Sequence, residues 1–165
     1  MNIEEVIDSL GDKLYHYLTI KLGSPQDAED VLQEVFYRLI RYKLRFRFIL
    51  NPSAYLFRMA RNEAADFLKK RKKDQKIRYP KEEFPKVIKA SLEGLDHKAL
   101  ERASEALAKI PDEQREVIVL KFFEQLTFEE IARVCGVPMG TITSRYRYGM
   151  EKMRKTMEGK DEECE

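Results

Sequence analysis

The segment "LTFEEIARVCGVPMGTITSRYRYGMEKMRK", residues 126–155, limits the fold more than any other. Thr127 and Glu130 form Thr-x-x-Glu, a capping box that starts a helix by satisfying two orphan backbone donors. Phe128, Ile131 and Ala132 then fall on one side, and the small Ala132 leaves room for a second helix. Gly136 supplies a tight turn because it tolerates a left-handed backbone. Val137 plugs the corner, and Pro138 suits the first turn of the next helix. The stretch "TITSRYRYGM" alternates with period two and could be a strand, but both flanks read as helix. At 100° per residue, Ile142, Tyr146, Gly149 and Met153 fall in a narrow arc with Met150 beside it, which is a packing face. Gly140, Thr143, Ser144, Arg147, Tyr148 and Glu151 fall opposite, with Arg145 and Lys152 flanking. One helix braces and the next is presented, as in a helix-turn-helix whose second helix enters a major groove. Thr and Ser hydroxyls bond base edges or phosphates, and Arg147 is suited to guanine.

Charge extends this reading to the rest of the chain. The net charge of +2 is uninformative, but its distribution is not. Residues 1–40 carry 3 basic and 8 acidic side chains, residues 41–73 carry 11 and 2, and residues 133–155 carry 6 and 1. Two basic blocks, separated by mixed sequence, suggest two contacts with one polyanion. With 36% charged residues against 43% apolar, the chain favours small helical units over a large buried sheet. Seven Gly and six Pro in 165 residues argue against a turn-rich all-β fold. The expected class is all-α: two small helical domains joined by a linker, the C-terminal one containing the helix-turn-helix.

Ile3, Val6, Ile7, Leu10, Leu14, Leu18 and Leu22 predict a first helix that Gly23 stops. "SPQD" restarts one, with Ser24 as N-cap, Pro25 in the first helical position and Asp27 in the first turn. This second helix is expected to bury Ala28, Val31, Leu32, Val35, Phe36, Leu39 and Ile40, and to carry Asp27, Asp30, Glu34, Tyr37 and Arg41 on its other face. "KLRFRFIL", residues 43–50, reads as an irregular, basic, aromatic loop, since a lone strand has no partner. Asn51–Pro52 caps a third helix to about Lys73. Leu56, Ala60, Glu63 and Phe67 share one side of it, and Tyr55, Arg58, Arg61, Asn62, Ala65, Lys69 and Lys72 the other. Residues 74–95 read as a linker with a short helix around 84–92. Helices return at 96–109 and after Pro111, where Val117, Ile118, Leu120 and Phe123 are expected in the core. The acidic tail, 159–165, reads as disordered.

Cys135 and Cys164, with His16 and His97 scattered, make no metal-ligand pattern, and neither a cofactor nor a catalytic cluster is expected. No apolar run follows a basic start, and none approaches the ~20 residues of a membrane span. A cytoplasmic, non-enzymatic protein is the expectation.

Three segments resemble the extracytoplasmic-function sigma factors of bacterial transcription, in that family's order: "DAEDVLQEVFYRLIR", "AYLFRMARNEAADFLKKRKK" and "LAKIPDEQREVIVLKFFEQLTFEEIARVCGVPMGTITSR". The resemblance implies that residues 1–73 form sigma region 2 and residues 96–158 region 4. It implies that Asp30, Gln33 and Glu34 dock core RNA polymerase. Tyr55, Arg58, Arg61, Asn62, Lys69 and Lys72 would face the −10 promoter element during melting, with the 43–50 loop capturing an extruded base through Phe46 or Phe48. Thr141, Thr143, Ser144, Arg145, Arg147 and Tyr148 would read the −35 element, and an anti-sigma factor is an expected partner. The family's recurrent Arg-Ala-Arg is replaced by Tyr148, Gly149 and Met150, so two cations are missing from that helix. Gly149 is expected to allow close packing against the bracing helix. A stand-alone helix-turn-helix regulator would explain region 4 but leave the acidic helix and the third helix unused. An interaction protein binding acidic partners would leave the groove-ready helix unexplained.

Overall fold

The computed structural model describes residues 2–74 and 96–159, and every regular element among them is helical. The chain divides into two compact units. The expected linker, its short helix and most of the acidic tail, Cys164 included, lie outside the described residues.

The first unit holds α1 (Ile3–Leu22), α2 (Pro25–Arg41), the one-turn α3 (Lys43–Phe46) and α4 (Pro52–Asp74). Its punctuation follows the sequence. Gly23 takes φ 72° and donates its N–H to the Thr19 carbonyl, ending α1 in a left-handed cap. Ser24 Oγ accepts from the Asp27 N–H at 3.3 Å, and Pro25 opens α2. Asn51 Oδ1 accepts from the Ala54 N–H at 3.0 Å and starts α4. Helices α1, α2 and α4 pack on one another. Their shared core takes Leu14, Tyr17 and Leu18 from α1, Ala28, Val31, Val35 and Leu39 from α2, and Leu56, Phe57, Ala60 and Ala64 from α4. Tyr17 meets Phe57 edge-on at 5.5 Å.

Three expectations change here. Ile40 is not core; it is 56% exposed, because Leu39 takes the buried place at the end of α2. Residues 43–50 are not an irregular loop. Their N–H groups reach back three or four residues, Arg45 and Phe46 to Tyr42, then Phe48 to Arg45 and Ile49 to Phe46, so α3 runs on into a turn. Phe46 fastens that turn to the core, whereas Phe48 stands 86% exposed. Asp27 is not on the solvated face: it is buried and forms an ion pair with Arg71 near the end of α4.

The second unit holds α5 (His97–Lys109), α6 (Asp112–Ile118), a π-helical segment (Val119–Phe123), α7 (Phe128–Cys135) and α8 (Met139–Met157). Helix α8 packs on α5 and α6. Leu107, Val117, Ile118, Leu120, Ile131 and Ile142 are buried in it. The α5–α6 corner is clamped by Arg115. Its guanidinium donates to the carbonyls of Leu107 at 2.8 Å, Ala108 at 3.0 Å and Ile110 at 2.8 Å, and to Asp112 at 2.6 Å. Those carbonyls lie at the end of α5, where a helix leaves acceptors unpaired. Burial pulls the Arg115 pKa below its usual value, and Asp112 opposes that shift.

The α6 pattern expands into i→i+5 spacing, with Glu124 N–H donating to Val119 O at 3.2 Å, a feature that periodicity did not predict. Gln125 then adopts φ 56° and ends the segment. The capping box of α7 forms as expected: Thr127 N–H donates to Glu130 Oε2 at 2.8 Å and Glu130 N–H to Thr127 Oγ1 at 3.1 Å. Gly136 turns the chain at φ 67°.

Candidate nucleic-acid interface

In the first unit, α2, α3 and α4 enclose an open groove of about 490 Å³. Helix α4 contributes Tyr55, Arg58, Met59, Asn62 and Glu63; Arg38 of α2, Tyr42 at the α2–α3 corner and Arg45 of α3 complete it. Tyr55, Arg58 and Asn62 come together because positions i, i+3 and i+7 share one helix face. Arg61, Lys69 and Lys72 lie outside this lining; Lys69 and Lys72 are exposed farther along α4, and Arg61 is half-buried. Arg58 and Asn62 make no hydrogen bond or ion pair among the described residues. Tyr42 lies near the guanidinium groups of Arg41 and Arg45, 5.7 and 5.9 Å from its ring centre. Tyr55 packs near Phe46, with centroids 6.1 Å apart.

Glu63 sits among these cations. Arg38 reaches its Oε1 at 2.6 Å and Glu34 at 3.0 Å. Burial raises the Glu63 pKa, and the Arg38 charge opposes the rise. The Arg38 pKa is raised in turn, first by its hydrogen bond to Glu34. Helical periodicity places Glu63 on the packed side of α4 and does not single out Arg38, Tyr42 or Arg45. The spacing i, i+4, i+7 of those three was the signal that they share a face.

Asp30, Gln33 and Glu34 are all exposed on α2. Asp30 and Gln33 make no hydrogen bond or ion pair among the described residues, whereas Glu34 is engaged by Arg38. The apolar side chains of Tyr37, Ile40 and Leu44 are also exposed near the end of this helix.

In the second unit the two faces of α8 separate as the winding predicts. Ile142 and Gly149 are buried, and Tyr146 meets Phe128 of α7 edge-on at 5.2 Å. Thr143, Arg147 and Tyr148 are exposed; Thr141 and Ser144 are half-buried. Arg147 lies over the Tyr148 ring at 5.1 Å. The Thr143 and Ser144 hydroxyls both donate to the Gly140 carbonyl, at 3.0 and 2.9 Å, which leaves their oxygen lone pairs available as acceptors. Arg145 differs from its neighbours, because it is drawn to Glu113 of α6 at 3.3 Å. Gly149 does permit a close approach, but to α6 rather than to the bracing helix: a Cβ there would lie 2.8 Å from Ile118 Cδ1 and 3.2 Å from Gln114 Cβ.

Among the described residues, no group of three or more His, Cys, Asp or Glu side chains could hold a metal ion, and no helix is long and apolar enough to cross a membrane.

Comparison with known proteins gives this geometry a context. Residues 6–74 match the family model for Sigma-70 region 2, and residues 106–155 match that for Sigma-70, region 4. The chain is 29% identical over 171 residues to the ECF RNA polymerase sigma factor SigW of Bacillus subtilis, covering 93% of this chain and 87% of that one. It is 30% identical over 128 residues to the RNA polymerase sigma factor SigV of the same organism, covering 78% and 74%. Its fold is similar to that of the sigma factor RpoE solved in complex with the anti-sigma factor NepR from Bartonella quintana, with a TM-score of 0.73 at 20% identity over 94% of this chain and 96% of that one. CnrH, solved in complex with the cytosolic domain of CnrY, gives a TM-score of 0.64 at 20% identity over 95% and 88%.

Proposed function

The chain belongs to the extracytoplasmic-function sigma factors, non-enzymatic initiation factors that direct RNA polymerase to promoters, and from that premise we propose how its residues divide the work. Residues 1–73 act as region 2 and residues 96–158 as region 4. In the first, Tyr55, Arg58 and Asn62 receive the −10 element in the groove and assist melting, with Phe48 as the exposed aromatic of the adjoining turn. An extruded base needs a pocket, an aromatic surface and cations for the backbone. The groove's volume falls within the about 300–1,000 Å³ typical of small-ligand clefts, so a nucleobase fits. Arg61, between Arg58 and Asn62 on α4, and Lys69 and Lys72 farther along it hold phosphates. The observation that carries this reading is the groove itself, in which an aromatic, a cation and an amide from one face of α4 meet two more cations from α2 and α3.

In the second unit, Thr141, Thr143, Ser144, Arg147 and Tyr148 read the −35 element, and Arg145 joins them when phosphate competes with Glu113 for it. Asp30, Gln33 and Glu34 dock on a basic surface of core polymerase. The solved relatives RpoE and CnrH are each held by a partner protein, and an anti-sigma factor restrains this chain in the same way. That partner calls for a cytoplasmic complex; sizing of a native extract should find the chain above its 19.5 kDa monomer mass, and a purely monomeric pool would count against it.

Transcription decides the division of labour. Core polymerase with this protein and a genomic template should give promoter-specific starts, mapped by sequencing transcripts. Tyr55→Ala with Asn62→Ala should abolish opening of a duplex promoter while sparing a template already melted at −10. Equal loss on both templates would remove the groove from the melting step.

A further inference from the structure

We propose that Glu63 selects the base the groove receives, favouring one that carries an exocyclic amino group over thymine. The inference rests on the reading of the groove as the −10 base site. It begins from an oddity of charge: Glu63 is the acidic member of a lining that otherwise offers three arginines, two tyrosines, an amide and a methionine. The residue is only 8% exposed. Arg38 engages its Oε1 at 2.6 Å, and Glu63 makes no other hydrogen bond or ion pair among the described residues. Arg38 also bonds Glu34 through Nε at 3.0 Å, so it bridges the two carboxylates.

The chemistry follows from what such a group can do. An ionised carboxylate only accepts hydrogen bonds. Cytosine, adenine and guanine each carry an exocyclic amino donor. Thymine has none, and its one ring N–H lies between two carbonyl oxygens whose lone pairs face the carboxylate. A base seated in the groove displaces water from the carboxylate, so one without that donor leaves the acceptor unsatisfied. Burial raises the Glu63 pKa and the Arg38 charge opposes the rise without cancelling it; the 2.6 Å contact with Arg38 is the geometry of an ion pair, in which the carboxylate only accepts.

The experiment uses the complete holoenzyme on one transcribed promoter. Each −10 position is first replaced by 2-aminopurine, whose fluorescence rises on unstacking, to find the extruded base. At that position the natural base is then compared with thymine and with its analogue lacking only the amino group, 2-pyrimidinone for cytosine or purine for adenine. Wild-type holoenzyme should lose about tenfold in open-complex formation with either change, the size of one good base contact. Glu63→Gln, whose amide both donates and accepts, should lose less than threefold. A wild-type enzyme indifferent to deletion of the amino group overturns the proposal, and that arm needs no variant to fold. Equal sensitivity in Glu63→Gln overturns it too. If no −10 base unstacks, the groove reading itself fails; unstacking with unchanged base preference sinks only the role of Glu63.

Discussion

Gly149 shows how one residue links sequence, packing and stability. It weakens α8 intrinsically, since Gly costs about 1 kcal/mol relative to Ala in a helix. Its missing side chain lets α8 close on Ile118 and Gln114. Gly149→Ala therefore sets a propensity gain against an overpacking cost of about 1–3 kcal/mol. Ile118 is buried and has little room to yield. The expected net effect is a loss of about 1 kcal/mol, read by urea unfolding of the whole protein; a stabilised variant would show that the helices part without cost.

Glu63 makes a second residue-scale prediction, in pH. Its folded pKa is raised above the ordinary 4.5. The native state thus binds the proton more tightly than the unfolded chain, and stability rises as pH falls through the folded pKa toward 4.5. Relative to Glu63→Gln, which has no such proton, the wild-type protein should gain stability on acidification across that window. A difference between the two proteins that stays constant, or shrinks, would contradict the assigned burial.

At the scale of the element, α8 works because α7 and α6 hold it in one rotation about its axis. The α7 capping box fixes where the bracing helix begins, and Tyr146 against Phe128 sets which side of α8 faces inward. Thr143, Arg147 and Tyr148 then project outward without further help. The arginines divide: Arg147 rests on Tyr148, while Arg145 is tied to Glu113. Arg147→Ala should relax base preference at one −35 position by about tenfold, the discrimination one bidentate pair supplies. Arg145→Ala should lower affinity without changing preference. Binding to a −35 library resolves the two, and a sequence shift in Arg145→Ala would mean that it leaves Glu113 to read a base.

At the scale of the whole molecule, the proposed division of labour assigns the charge segregation seen in the sequence to two kinds of partner. Lys69 and Lys72 are exposed, and Asp30 stands free of any described partner on a different helix. Lys69→Gln with Lys72→Gln should reduce the slope of log K against log salt by about 2, near 0.9 for each duplex phosphate no longer neutralised. An unchanged slope would place both lysines away from the backbone. Asp30→Arg should weaken binding to core polymerase while leaving DNA binding by the isolated protein intact. Undiminished co-purification with core would remove Asp30 from the docking surface.

What the sequence determined by itself is local. Gly23, Ser24, Pro25, Asn51 and the Thr127–Glu130 pair set helix ends, because caps act over three or four residues. The 3.6-residue period sorted the faces of α8 for the same reason, neighbours on a helix face being neighbours in the chain, whereas on α4 it left out the buried Phe57 and Ala64. Ile40, at the frayed end of its pattern, is where that logic gave out. Tertiary structure decided whatever joins distant segments. Arg38 meets Glu63, Asp27 meets Arg71 and Glu113 meets Arg145 only because helices far apart in sequence are packed side by side. Packing also chose between Phe46 and Phe48, which the alternating sequence left equivalent, by giving Phe46 a place beside Tyr55. The groove belongs to this second kind. Three of its residues were legible as one face of α4, but its opposite wall and its acidic member exist only where α2 and α3 close over that face.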